Sequence, residues 1–280
     1  MSRTDAEGTV LELDEVTLER RADRRDRWLT FVTFGCILAL WTAVTGSGLW
    51  PPLIKPIFLP SPVDVVETFI RLSHQGYQGR SLLHHVTVSF NRFAIAFSAC
   101  VVIGVPLGLL MGMNRPIRAV FEPPIQAIRP IPKLALLPLF LIWVGMGNRS
   151  NVVVIAAPVL PLIAIASMQA VRSISTKQIQ AAQALGASPW VVFSRVVLPA
   201  SLPGIFTGIR MAISIGVTML VGAELTATSD GIAWMALTAA EYLSTDVVLV
   251  GVLIMAALGY GLDRMVRAIE SRLVHWSGKD

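Results

Sequence analysis

Phe93-Ala-Ile-Ala-Phe-Ser-Ala-Cys-Val-Val-Ile-Gly-Val-Pro-Leu-Gly-Leu-Leu-Met-Gly-Met-Asn114 contains no Asp, Glu, Lys or Arg. As a helix rising about 1.5 Å per residue, this block crosses a hydrocarbon core of roughly 30 Å. Trp28–Ile54 and Ser150–Val171 are at least as long and equally uncharged. Leu134–Asn148 and Val247–Leu262 are shorter uncharged blocks, and Gly204–Leu225 is apolar except for Arg210 and Glu224 near its ends. In hydrocarbon each backbone amide must bond within its own segment, so these blocks read as helices. The fold class is an all-α membrane protein with about six transmembrane helices.

Composition agrees. Charged residues are 15% of the 280 and the hydrophobic set is 54%, against about 25% charged in an ordinary soluble domain. The net charge of +5 is distributed as a membrane protein distributes it, not as a nucleic-acid binder does. Arg20, Arg21, Arg24, Arg25 and Arg27 precede the first span, while Thr226–Asp246 holds no Lys or Arg. The positive-inside bias then predicts both termini in the cytoplasm. Cys36 and Cys100 each fall inside an apolar block and read as small buried hydrophobes. The long polar leader and long first block argue for an uncleaved span rather than a signal peptide.

The chain divides into a cytoplasmic leader (1–27), a first span with an outer segment (28–83), the main transmembrane domain (84–269) and a cytoplasmic tail (270–280). Leu59-Pro60-Ser61-Pro62 breaks the chain, and Val65, Val66, Phe69, Ile70 and Leu72 then recur at helical spacing. That is an amphipathic surface helix capped by Ser61 with Pro62 at its first position. Five prolines punctuate Phe121–Leu141, with Arg129 and Lys133 among them. Such a segment is expected to be a kinked third span facing the interior of an assembly. Gly231–Leu243 is semi-apolar but too short to cross, and reads as a re-entrant or surface helix.

The connection after the fourth span is the most specific stretch: Lys177-Gln-Ile-Gln-Ala-Ala-Gln-Ala-Leu-Gly186-Ala-Ser188-Pro189-Trp-Val-Val-Phe-Ser-Arg-Val-Val-Leu198-Pro199. Residues 176–185 are good helix formers, and Gly186 stands where a left-handed residue ends a helix. Ser188 is a good N-cap with Pro189 at the next helix's first position. Pro199 and Pro203 are expected to stop that second helix and start the fifth span.

This loop resembles the EAA loop of ABC importer permeases, whose pattern is Glu-Ala-Ala, three residues, Gly, nine residues, Ile-x-Leu-Pro. Gln180, Ala181 and Ala182 match its start, Gly186 its glycine, and Val196-Val-Leu198-Pro199 its end. Gln180 replaces the glutamate and Val196 the isoleucine. Leu59-Pro-Ser-Pro62, Ile128-Arg-Pro-Ile-Pro132, Ile142-Trp-Val-Gly-Met-Gly147 and Glu241-Tyr-Leu-Ser-Thr-Asp-Val-Val-Leu249 are similar to the sulfonate, nitrate and taurine branch, most of all to taurine permeases. The resemblance implies the type I ABC importer permease fold in a bacterial inner membrane. It implies a homodimer, a dimer of cytoplasmic ATPase subunits that bind the ATP, and a periplasmic binding protein that delivers the substrate. It makes Gln180, Ala181, Ala182, Gly186, Ser188, Leu198 and Pro199 the ATPase-coupling residues.

No GxxxxGK[ST], HExxH, GxSxG or CxxC occurs, so nothing points to an enzyme, a cofactor or a metal site in this chain. His84-His85 diverge by about 100° on a helix and read as an interfacial polar pair. An intramembrane enzyme lacks a nucleophile–base pair. A secondary transporter or channel is the alternative of another class, kept open by Glu224 and the broken third span. For an anionic substrate (taurine or a related sulfonate, with nitrate or bicarbonate as the alternative), Arg129 is the candidate pathway contact, with Lys133 weaker. The bland reading makes both inner-face anchors. Glu224 is expected to pair with a polar group on a neighbouring span.

Overall fold

A computed structural model of the chain describes residues 25–26, 28–46 and 51–274. Most of the 1–27 leader and the end of the 270–280 tail lie outside the described residues. Apart from an isolated bridge between Tyr77 and Arg80, all regular structure among the described residues is helical. Five helices are long and apolar enough to cross a membrane, and a broken pair makes up to six. The chain forms two compact units, one ending at Thr68 and the other beginning at Phe69.

The first unit contains α1 (Trp28–Thr45). It is shorter than the uncharged block that predicts it, because Gly46 takes a left-handed φ of +80° and Pro51 and Pro52 follow. Trp41 Nε1 donates to the carbonyl of Pro60 at 3.1 Å and so folds the following segment back. α2 (Pro62–Gln75) begins on a reciprocal cap. Ser61 Oγ accepts from the Asp64 N–H at 3.2 Å, and the Asp64 carboxylate accepts from the Ser61 N–H at 2.9 Å.

The second unit is built on α3 (Leu82–Met113), α6 (Asn148–Arg172) and α9 (Leu198–Ala227), with α6 packed against both others. Small residues let the backbones approach. Gly104, Gly108 and Gly112 place one glycine per turn of α3 against Ile163, Ala164 and Val171 of α6. A Cβ at Gly112 would lie 2.6 Å from Cβ of Val171, and one at Gly204 of α9 would lie 2.7 Å from Cβ of Ala170. Where lipid is as apolar as the side chains, this close packing is the main attraction between spans. Phe93, Ile155, Val159, Ile163, Ala212 and Leu220 form the centre of the core, with Phe93 stacked on Phe97.

The third span is broken rather than kinked. α4 (Arg115–Ile128) meets a 3-10 turn (Lys133–Leu136) and α5 (Leu137–Val144) at 89°. Arg129 keeps helical geometry, but Pro130 and Pro132 each remove a donor and Pro132 is extended at ψ 107°, so no hydrogen-bonded path carries the helix through. The 3-10 turn and α5 lean on α9 at Gly222, where an added Cβ would lie 2.7 Å from Leu134 Cδ2 and 3.3 Å from Leu137 Cδ1. α10 (Ile232–Glu241) is too short to cross and packs on α9 and on α11 (Thr245–Leu273).

The expected stop at Pro199 and Pro203 does not occur. α8 (Pro189–Val192) passes through a π turn (Phe193–Val197) directly into α9, giving one helical stretch from Pro189 to Thr226. The wider turn is the physical reason. Pro199 has no N–H and its ring crowds the carbonyl four residues earlier, and a π turn just before it absorbs that misfit.

Candidate functional site

The 176–203 loop folds as a compact corner. α7 (Thr176–Ala184) ends in a Schellman motif. The Gly186 N–H donates to Gln183 O at 2.9 Å, and the Ala187 N–H to Ala182 O at 3.1 Å, with Gly186 at φ +79°. Ser188 Oγ accepts from the Val191 N–H at 3.5 Å, opening α8 with Pro189 in its first turn. Inside the corner Val171, Val192 and Val197 are buried against Leu109, Ile179, Ala182 and Ala187. The loop therefore has a small core of its own, shared with the ends of α3 and α6. Its outer surface carries Gln180, Ala181, Gly186 and Ser188, with Leu185 90% and Trp190 71% exposed at its tip. Leu198 and Pro199 are half-buried at the root of α9. All seven residues named from the motif lie on this one element.

Arg129 and Lys133 line a common cavity of about 280 Å³ at the break between α4 and α5, closed by Pro158, Pro161 and Leu162 of α6 and Ile215 of α9. Arg129 Nη1 donates to Gln126 Oε1 at 3.1 Å. Lys133 Nζ donates to the carbonyls of Ile128, Arg129 (3.1 Å) and Ile131 (2.7 Å), capping the end of α4. Glu224 does not line this cavity.

Glu224 is fully buried elsewhere, in a network at the end of the bundle opposite the loop. Its Oε1 accepts from Ser89 Oγ at 2.6 Å and from Arg92 Nη1 at 3.2 Å, and its Oε2 from the Ala233 N–H at 3.0 Å. Arg92, itself buried, also donates from Nε to Asn148 Oδ1 at 2.9 Å, from Nη1 to Asp230 O at 2.8 Å, and from Nη2 to the Asp230 carboxylate. Arg80 and His84 reach Asp230 from the other side. Gly231 sits at φ +117°, and a Cβ there would run into the Glu224 carboxylate, so the position takes glycine. Its N–H donates to Nδ1 of His85 at 3.2 Å, whose ring stacks on Trp234. The two histidines thus diverge: His84 faces Asp230 and His85 is buried.

Partial burial works to raise the Asp230 carboxyl. Hydrogen bonds from Arg92 and His84, with the charges of Arg92 and Arg80, outweigh it and hold the group below its ordinary value. Arg92, Ser89 and Asp230 were not singled out by sequence reasoning. The signal available was a lone arginine beside one uncharged block and a lone glutamate in another, since charges inside a bundle pair with each other.

A family model described as "Binding-protein-dependent transport system inner membrane component" matches residues 104–275. The taurine transport system permease protein TauC of Escherichia coli (strain K12) is 35% identical over 271 residues, covering 93% of this chain and 97% of that protein. The putative aliphatic sulfonates transport permease protein SsuC of Bacillus subtilis (strain 168) is 30% identical over 278 residues, 99% and 98% of the two chains. Among solved structures, an inward-facing form of the MetNI methionine ABC transporter aligns with a TM-score of 0.55 at 21% identity, over 72% of this chain and 98% of that one. At that identity the likeness is one of fold.

Proposed function

The chain belongs to the inner membrane components of binding-protein-dependent transport systems, the permeases of ABC importers, and on that premise we propose that it carries taurine or a related sulfonate. A permease of this kind is neither the ATPase nor the substrate receptor. It supplies the membrane path in an assembly with an ATPase, a binding protein and a second permease subunit. The cargo reading is supported by the names of the relatives, a taurine permease and a sulfonate permease, each matched over more than nine-tenths of this chain.

The observation that carries the mechanism is the 176–203 corner. Seating an ATPase against an exposed Leu185 and Trp190 takes a surface that does not give way, and the buried Val171, Val192 and Val197 provide it. The corner continues through the π turn into α9 and is packed against the end of α6. A push on it therefore passes into two core spans together. In this reading ATP-driven closure of the ATPases shifts the corner and opens the path to the outside. The binding protein then delivers its ligand, and hydrolysis restores the inward state. The loop and both termini are cytoplasmic, in keeping with the Arg and Lys distribution, and the second permease is an identical copy.

Uptake by proteoliposomes holding the permease, its ATPase and its binding protein tests the cargo. Labelled taurine should enter with ATP and be competed by alkanesulfonates more than by nitrate or bicarbonate. ATP-driven uptake competed by nitrate or bicarbonate but not by sulfonates would move the chain to the second reading, a permease for another small anion. Uptake driven by an ion gradient without ATP would make it a secondary transporter.

A further inference from the structure

The cavity at the α4–α5 break carries an inference that rests on the sulfonate reading and deepens it. Its depth can be measured on two independent helices. α6 begins, and α9 ends, at the end of the bundle opposite the loop. Pro158 lies about 15 Å along α6 from that end, and Ile215 about 18 Å along α9 from it. Both line the cavity together with Arg129 and Lys133. With the ends of α6 and α9 taken as one face of a hydrocarbon layer of about 30 Å, the two cations lie near its middle. That depth favours a pathway role for Arg129 and Lys133 over that of inner-face anchors. Cations at mid-depth are expensive and belong to polar paths, and a broken span at that depth is where transporters build substrate sites.

A second observation concerns the approach. Arg115, Arg118, Glu122, Gln126 and Arg129 follow one another along α4 at steps of three or four residues. At about 100° per residue they share an arc of about 80°. No residue of α4 is buried, while Ile117 on its apolar side and Ile125 at the edge of the stripe touch the cluster around Met111, Ile165 and Met168. A polar stripe at membrane depth is stable only where it meets protein or water. It runs from the loop end of the bundle to the cavity.

The charge balance at the cavity is one-sided. Its lining holds two cations and no carboxylate. The three donors of Lys133 are committed to carbonyls at the end of α4, so it adds charge and holds the break open. Among the described residues Arg129 bonds only Gln126, which leaves most of its five N–H donors for a ligand. We propose that this cavity is a mid-membrane sulfonate subsite. Arg129 is its contact to the sulfonate oxygens, Lys133 its second positive charge, and the α4 stripe its wetted exit.

The test uses a thiol probe that is itself a sulfonate. In a Cys36→Ser, Cys100→Ala background, Ile215→Cys and, separately, Leu162→Cys place a thiol in the cavity wall. Each is assembled with the ATPase and checked for an intact complex by size exclusion. 2-Sulfonatoethyl methanethiosulfonate transfers its sulfonatoethylthio group to the thiolate and releases methanesulfinate. The 2-(trimethylammonium)ethyl analogue does the same with the opposite charge. Relative to a free thiol, the anionic reagent should be favoured by ~10-fold or more, the scale on which a charged cleft concentrates counter-ions. Arg129→Gln should remove most of that preference and Arg129→Lys should keep it. Unlabelled ethanesulfonate should slow the anionic reaction. Equal rates for the two reagents, no reaction at either thiol in an intact complex, or a preference untouched by Arg129→Gln would overturn the proposal. Modification does not depend on turnover, so a charge preference found in a permease that fails to import sulfonates would overturn the cargo reading alone.

Discussion

Glu224→Gln is the smallest change that interrogates the buried network. The carboxylate has three donors, divided between its oxygens: Ser89 Oγ and Arg92 Nη1 on Oε1, and the Ala233 N–H on Oε2. A glutamine amide offers one oxygen, so whichever way it turns, at least one buried donor faces an NH₂ group. An orphaned buried donor costs about 1–3 kcal/mol. Loss of the charge beside Arg92 adds to this, although Asp230 still balances that arginine. The expected destabilisation is about 3 kcal/mol, and Arg92→Met should cost about 3–5 kcal/mol because it leaves the buried Glu224 carboxylate without its counter-charge, while Asp230 keeps Arg80 and His84. The two changes share partners, so the double mutant should be more stable than the sum of the singles by about 2 kcal/mol. Reversible denaturation by sodium dodecyl sulfate in micelles, followed by tryptophan fluorescence, gives all three values. Single mutants within about 0.5 kcal/mol of wild type, or strictly additive effects, would mean that the network does not hold this end of the bundle together.

At the other end, Gly186→Leu should insert normally, since a Cβ there meets nothing within 4 Å. It should fail to retain the ATPase on co-purification, with about a thirtyfold loss of affinity for a disrupted central contact. Gly186→Asn, which tolerates a left-handed backbone, should retain it; equal retention by Leu would make the loop a passive connector. Asp230 is held ionised, so its contribution is present above the ordinary carboxylate range and lost as pH falls through its lowered value. The stability margin of wild type over Asp230→Asn should persist at about pH 5 and shrink only below about pH 4, and a margin already gone at pH 5 would contradict the depressed value. For orientation, a membrane-impermeant maleimide applied to whole cells should label Ser229→Cys and spare Ser188→Cys; the reverse would invert the topology.

The spans were legible because hydrophobic length is a one-dimensional property, and in lipid the backbone has few alternatives to the helix. The corner of the loop was legible for a related reason. Gly186, Ser188 and Pro189 act within a turn of themselves, and the Schellman bonds and the Ser188 cap appear where those residues put them. Pro199 shows the limit of local reading. Proline reads as a helix stop, yet the tertiary gain of one long stretch through Val197 into α9 outweighs a π turn's poorer bonds. Arg92 was hidden for a different reason. Its partners Asn148, Glu224 and Asp230 lie 56, 132 and 138 residues away in sequence, and no periodicity links them.

The depth of Arg129 was hidden by the break itself. A charge between two apolar blocks counts as lying at a membrane face so long as each block is taken as a separate span. Once α4 and α5 are read as one span, bent at 89°, the same charge falls at the break within it. This placement joins the two halves of the mechanism. The walls of the cavity opposite Arg129 are Pro158 and Pro161 of α6 and Ile215 of α9. Val171 near the end of α6 and Val197 in the π turn that leads into α9 lie in the core of the corner. A displacement of the corner moves both walls as one body. Arg129 ends α4, whose Ile117 and Ile125 touch the cluster of Met111, Ile165 and Met168, whereas the Pro130–Pro132 break and the left-handed Gly145 and Gly147 bound the segment that follows it. In the proposed mechanism, motion imposed at the loop reaches the Arg129 cavity through these α6 and α9 walls.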